Sequence, residues 1–182
     1  MPVTRSAALL RGVNVSGHRK VSMAGLRVLV SDLGFPDVET YRQSGNVVFS
    51  TTLRSTKRIA ATLEEALREA LGYVDVDVLV RGAAELDRLA SDNPFLAAGS
   101  DPVTCHVTFL KDKPLHGVPD DHLPGGKADG FAFTERAVYV HCPGGYGRTK
   151  LNNGYFEKLT GVRATTRNWA TVLALRDLTA GR

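Results

Sequence analysis

The sequence predicts an α+β fold in two halves: a βαββαβ first half of ferredoxin-like plan and a second, smaller mixed α/β half. Three observations lead there. Apolar residues recur at helical spacing in two stretches, Met23 to Leu33 and Ile59 to Leu71, each between short apolar runs. Val74, Val76, Val78 and Val80 alternate with Asp75, Asp77, Leu79 and Arg81, the period of two expected of a strand with one buried face. Ser91-Asp92-Asn93-Pro94 and Ala98-Gly99-Ser100-Asp101-Pro102 then punctuate the chain. They place a boundary between subdomains 1–91 and 92–182, or a seam within one continuous domain.

Each element follows from local chemistry. Ala7 to Val13 is the opening apolar strand, and Val15 to Lys20 a polar loop. Ser22 can cap a helix, because its hydroxyl accepts an orphan backbone N–H. Met23, Leu26, Leu29, Val30 and Leu33 continue that helix until Gly34, which takes a left-handed cap at little cost. Glu39 to Arg42 and Asn46 to Thr51 read as strands around Ser44-Gly45, where Gly45 and Asn46 tolerate the positive φ of a tight turn. The second helix starts near Ser55 and Thr56 and stops at Gly72. A short helix (Ala83 to Ala90) ended by Asn93-Pro94 leads to the boundary, and a strand (Val103 to Leu110) and a proline-rich loop (Lys113 to Gly126) follow. A hairpin of Phe131 to Thr134 and Ala137 to Cys142 follows, then a glycine-rich connection and a helix from Leu151 to Leu159. A last helix from Asn168 to Leu178 carries Trp169 as its core anchor. This order could be a degenerate second copy of the first plan, although no residue-level repeat supports it.

The 182 residues are 43% hydrophobic and 23% charged, which argues against a disordered chain, a fibre or a disulfide scaffold. No apolar run approaches the ~20 residues that span a bilayer, and Met1 to Val13 lacks a signal-peptide core, so a cytoplasmic protein without a membrane partner is expected. Cys105 and Cys142 read as small, reduced core residues. Cys105-His106 and His141-Cys142 are strand neighbours on opposite faces, so each pair offers one ligand to a given site; no metal and no cofactor is expected. The net charge of +4 is unevenly spread: residues 1–31 hold five basic residues and no acid, residues 136–182 eight basic against two acidic, and the centre is acidic. Were the two ends to meet, they would make a positive face suited to an anion.

Four segments carry candidate chemistry. In Leu9-Leu10-Arg11-Gly12-Val13-Asn14-Val15, Arg11 and Asn14 follow a strand, and arginine offers a planar fork of donors for phosphate or carboxylate. His18, Arg19 and Lys20 then precede a helix N-terminus, which favours anions. Tyr41-Arg42-Gln43-Ser44-Gly45-Asn46 gathers polar groups at a hairpin tip, but Ser44 lacks the flanking glycines of a nucleophile elbow. Gly144 to Lys150 resembles a phosphate nest without the Walker order. In Thr165-Thr166-Arg167-Asn168-Trp169, a cation beside a helix N-terminus opposes the dipole unless an anion sits between them. No carboxylate pair or general base stands out by spacing.

Together, Leu9 to Val15, Lys20 to Met23, Leu33-Gly34-Phe35, Tyr41 to Phe49, Asp92 to Phe95 and Thr166 to Trp169 resemble the bacterial domain-of-unknown-function family 1697, over Ala7 to Leu178. Ser16 and Ser22 depart from its pattern, where a glycine and often a proline are expected. The resemblance implies a compact bacterial protein and specifies no reaction. The matching polar residues Arg11, Asn14, Lys20, Gln43, Ser44, Asn46, Lys150, Arg167 and Asn168 form the candidate ligand-binding set. The first functional reading is a binding module for an anionic ligand, a nucleic acid or a phosphorylated metabolite, in a basic polar cleft. The alternatives are an enzyme acting on a small phosphorylated or carboxylated substrate, with Ser44, Lys150 and Arg167 as reacting or charge-stabilising groups, and a self-associating interaction protein.

Overall fold

The computed structural model describes residues 3–14, 20–72, 75–123 and 128–181. The predicted loop at 15–19, with Ser16, His18 and Arg19, and the predicted strand start at Val74 lie outside them. The chain divides into two compact units, residues 1–87 with 174–182 and residues 88–173.

In the first unit, β1 (Thr4–Leu10), α1 (Met23–Asp32), β2 (Glu39–Tyr41), β3 (Asn46–Thr51), α2 (Thr56–Leu71) and β4 (Val78–Gly82) follow the expected βαββαβ plan. The strands form an antiparallel sheet in the order β2-β3-β1-β4. Ala8, Leu10, Val47, Phe49, Val78 and Val80 join Leu26 and Val30 of α1 and Ile59, Leu63 and Leu67 of α2 in one buried cluster. The Ser22 and Ser55 hydroxyls accept from the backbone N–H of Gly25 and Arg58, and each such cap contributes about 1 kcal/mol. β4 departs from the alternation read in the sequence: Leu79 and Arg81 are as buried as Val78 and Val80, so neither face of this strand meets solvent.

The helices α3 (Ala83–Ser91) and α4 (Pro94–Ala97) lead to β5 (Cys105–Leu110), β6 (Gly130–Phe133), β7 (Ala137–His141), α5 (Asn153–Thr160), β8 (Ala164–Asn168) and α6 (Trp169–Ala180). Asn93 does not simply end a helix; its side chain accepts from Phe95 N–H and Leu96 N–H and starts α4, with Pro94 inside the first turn, where its missing N–H costs nothing. β8 replaces what the sequence suggests is only a capping segment. It was hidden because its inward positions are threonine and arginine rather than aliphatic residues.

The second sheet has the order β6-β7-β5-β8, again antiparallel. Matching strand to strand, this is the order of the first sheet, and the equivalence extends to single residues. Ser6 faces Phe49 and Gly82, and His106 faces Val140 and Asn168. The N–H of Leu10 donates to the Gly45 carbonyl, and that of Leu110 to the Arg136 carbonyl, at 2.8 and 2.9 Å. Arg11 N–H reaches the Asp77 carbonyl, and Lys111 N–H that of Arg163. The first residue of the last strand donates to a glutamate of the preceding helix in both units, Val78 N–H to Glu64 and Ala164 N–H to Glu157, each at 2.8 Å. Both helices end on a left-handed glycine, Gly72 and Gly161. The second unit is therefore a structural copy of the first plan, except that among the described residues no helix lies between its first two strands. Among the described residues, no helix is long and apolar enough to cross a membrane.

Candidate functional site

At one end of the first sheet, the loop after β1 is tied to the turn between β2 and β3. Asn14, at φ +54°, is the knot. Its amide nitrogen donates to the carbonyls of Val21 (3.0 Å) and Gln43 (2.7 Å), and its oxygen accepts from Val21 N–H (2.8 Å). Asn46, fully buried, donates to the Tyr41 carbonyl and to Ser44 Oγ, both at 2.9 Å. Gly45 must be glycine: at φ +74°, a Cβ would lie 2.5 Å from Val13 Cγ2 and 2.9 Å from Leu10 Cβ. The turn's other left-handed residue is Arg42 (φ +57°) rather than the expected Asn46. The Arg42 guanidinium lies 5.4 Å from the centre of the Tyr41 ring, within cation–π range.

Arg11, Asn14, Lys20, Gln43, Ser44 and Asn46 thus belong to one loop cluster, in which Asn14 and Asn46 spend their side chains on the scaffold. Lys20, Gln43 and Ser44 are exposed. Ser44 Oγ receives an amide N–H, which cannot take its proton, so that contact does not activate a nucleophile.

In the second unit, Lys150 is exposed, whereas Arg167 is 7% exposed. Arg167 Nη1 donates to Thr165 Oγ1 (2.8 Å) and to the Thr166 carbonyl (3.0 Å). Burial pushes the Arg167 guanidinium down to about 10, which still leaves it charged at neutral pH. Its equivalent in the first unit is Arg81, fully buried, whose Nη1 donates to the Val80 carbonyl and whose Nε lies 2.9 Å from Glu85. Asn168 caps α6 by accepting from Thr171 N–H.

On the opposite face of β8, Thr166 Oγ1 accepts from Tyr146 and lies 2.8 Å from Thr108 Oγ1, while donating to Asn153 Oδ1. The Tyr146 ring stacks on His106 at 4.8 Å. Burial raises the phenol of Tyr146 and lowers the imidazole of His106, so both stay neutral more readily. Cys142 is pushed up to about 11 and Cys105 is also raised, chiefly by burial, which leaves both as poorly nucleophilic thiols. Among the described residues, no three His, Cys, Asp or Glu side chains are grouped to hold a metal.

The profile of the family described as "Protein of unknown function (DUF1697)" matches residues 3–139. The chain belongs to the DUF1697 family. No curated protein matches it. Among solved structures, the DUF1697 chain is similar to the conserved bacterial protein SP0830 from Streptococcus pneumoniae, with a TM-score of 0.67 and 18% identity over 98% of this chain and 99% of that one. At that identity the likeness concerns the fold. Within this DUF1697 chain, sequence reasoning missed two features. The sequence pattern assigns Arg42 to a strand, and no local signal marks an arginine for a left-handed turn. The Tyr146–Thr166–Thr108 network joins residues that are 20 and 58 positions apart, visible only once β5 and β8 pair.

Proposed function

We propose that this DUF1697 chain is a binding module for an anionic ligand, a nucleic acid or a phosphorylated small molecule, taken at the loop cluster that carries Arg11, Lys20, Arg42, Gln43 and Ser44. One observation carries the reading: Arg42 stands exposed at φ +57° as the first residue of the turn between β2 and β3. A left-handed conformation costs a non-glycine residue roughly 1–2 kcal/mol, which glycine would avoid. Stability therefore does not call for arginine there, and an exposed guanidinium, in a loop cluster that also carries the exposed Lys20, is suited to a phosphate. Asn14 and Asn46 act as positioning residues that hold the two loops in register. Arg167 and Asn168 are engaged inside the second unit, so the proposal rests on the first.

The test is fluorescence anisotropy with labelled single-stranded RNA and DNA at low and physiological salt, beside thermal shifts with nucleotides and sugar phosphates. Binding that falls steeply with salt is expected for nucleic acid, and a raised melting temperature for a phosphorylated metabolite. Arg42→Gly, which keeps the turn, should weaken either interaction roughly tenfold, about 1.4 kcal/mol, without lowering stability. If no anion in either series binds, or Arg42→Gly binds as well as the parent, the reading falls.

A further inference from the structure

The outer side of the first unit's helix pair is unusual for a solvent-facing surface. Helix α1 reads Met-Ala-Gly-Leu-Arg-Val-Leu-Val-Ser-Asp, with Arg27 and Asp32 as its charged residues, so it is apolar nearly all round. A helix of that kind is ordinarily covered on every side. Here Val28 is 60% exposed and Leu33 37% exposed. Between α1 and α2 runs a groove of about 720 Å³, lined mainly by apolar side chains that include Leu26, Leu29, Leu67 and Leu71. That volume lies in the ~300–1,000 Å³ range of ligand-binding clefts. Gly25, Ala66 and Ala70 also line it, and a Cβ added at Gly25 would meet nothing nearer than 3.7 Å, so a partner's backbone could come close.

Charge selects the occupant. Asp32 and Glu69 line the groove and are both exposed, and neither is in an ion pair among the described residues. Arg27 is engaged with Thr40 Oγ1, and Arg68 with Glu65. The groove thus presents apolar walls with two carboxylates, in a chain whose net charge is +4. A second copy placed symmetrically would bring the same carboxylates toward each other, whereas a helix with an apolar stripe flanked by lysine or arginine would complement both features.

We propose that the α1–α2 groove docks an amphipathic, basic helix of a partner protein; the groove adjoins the anion-binding loop cluster at Val21 and Ser22 but takes its partner through other side chains. Because the whole chain is positively charged, it would repel such a helix at long range, and any attraction must come from the groove itself.

The test uses a fluorescein-labelled model peptide of about 18 residues, five helical turns, patterned with leucine on one face and lysine on the other. Its counterpart carries glutamate in place of lysine. Saturable anisotropy binding is expected for the lysine peptide and none for the glutamate peptide. Val28→Lys, a change at an exposed position, should weaken binding at least tenfold, and Asp32→Asn with Glu69→Gln several-fold. Arg42→Gly should leave it unchanged, which separates this contact from the anion site. Failure of the lysine peptide to bind, or equal binding by Val28→Lys and by the Asp32→Asn/Glu69→Gln double variant, overturns the proposal. A dimer detected by light scattering and dissolved by Val28→Lys overturns it in favour of a second copy.

Discussion

The two sheets share strand order, hydrogen-bond register and the glutamate that receives the last strand's first N–H, yet they bury opposite chemistry at equivalent positions. Ala8 and Val80 of the first sheet belong to an apolar cluster with helices α1 and α2. Their counterparts, Thr108 and Thr166, join Tyr146 and Asn153 in a hydrogen-bonded network. The difference follows from what lies between the first two strands. In the first unit that segment is a helix, and in the second it is 111–129, where no helix is described. A helix covers its sheet with hydrocarbon. Without one, the face can keep polar groups provided each finds a partner, because an unsatisfied buried hydroxyl costs about 1–3 kcal/mol. The comparison teaches that the backbone pattern of this unit tolerates either solution, and that the covering segment decides which side chains the sheet can carry.

The largest expected effect tests how differently the two equivalent turns are built. Gly45→Ala adds a Cβ where Val13 and Leu10 already stand and does so at positive φ, so a loss of about 3 kcal/mol is expected by chemical denaturation. Its counterpart, Arg136, already carries a Cβ and is outside the left-handed region, so Arg136→Ala should cost about 1 kcal/mol or less. Comparable losses at both positions would mean that the turns are not distinct in the way their geometry suggests.

The next effect exchanges the two kinds of interior. Thr166→Val removes the centre of a three-partner network and should cost about 2 kcal/mol. Val80→Thr places a hydroxyl in an apolar cluster and should cost about 1–2 kcal/mol. If either is neutral in a denaturation curve, the polar and apolar faces are interchangeable, and the covering segment does not matter. The smallest effect probes the shared feature instead. Glu64→Ala and Glu157→Ala each leave a strand N–H without its acceptor, and losses of about 1 kcal/mol, similar to each other, are expected in thermal melts. The corresponding glutamines, which keep a side-chain oxygen, should recover part of each loss.

Much of the architecture was legible beforehand, for identifiable reasons. Helices α1 and α2 announce themselves through Ser22 and Ser55 at their starts, aliphatic residues at helical spacing and glycines just past their ends. The β6–β7 hairpin is readable from its aromatic and β-branched residues. Strand β8 is not, because Thr165, Thr166 and Arg167 look like surface residues until pairing with β5 sets Thr166 against Thr108 and the Arg167 guanidinium donates to Thr165 Oγ1 and the Thr166 carbonyl. The loop cluster was half legible. Arg11, Asn14, Gln43, Ser44 and Asn46 stood out as polar residues, but their division into scaffold and exposed groups depends on which amide reaches which carbonyl. Asn14 and Gln43 are 29 positions apart, and no local pattern links them.

By itself the sequence determined where α1 and α2 begin and end and which class of fold results, since capping, periodicity and backbone freedom act over a few residues. Only the tertiary structure decided that the second unit repeats the register of the first, that buried threonines and an arginine can replace aliphatic residues in a strand, and that α1 keeps an apolar side facing outward. Those outcomes depend on which distant groups satisfy one another and on what covers each surface. These are long-range quantities, and the same short segments could have met them in more than one way.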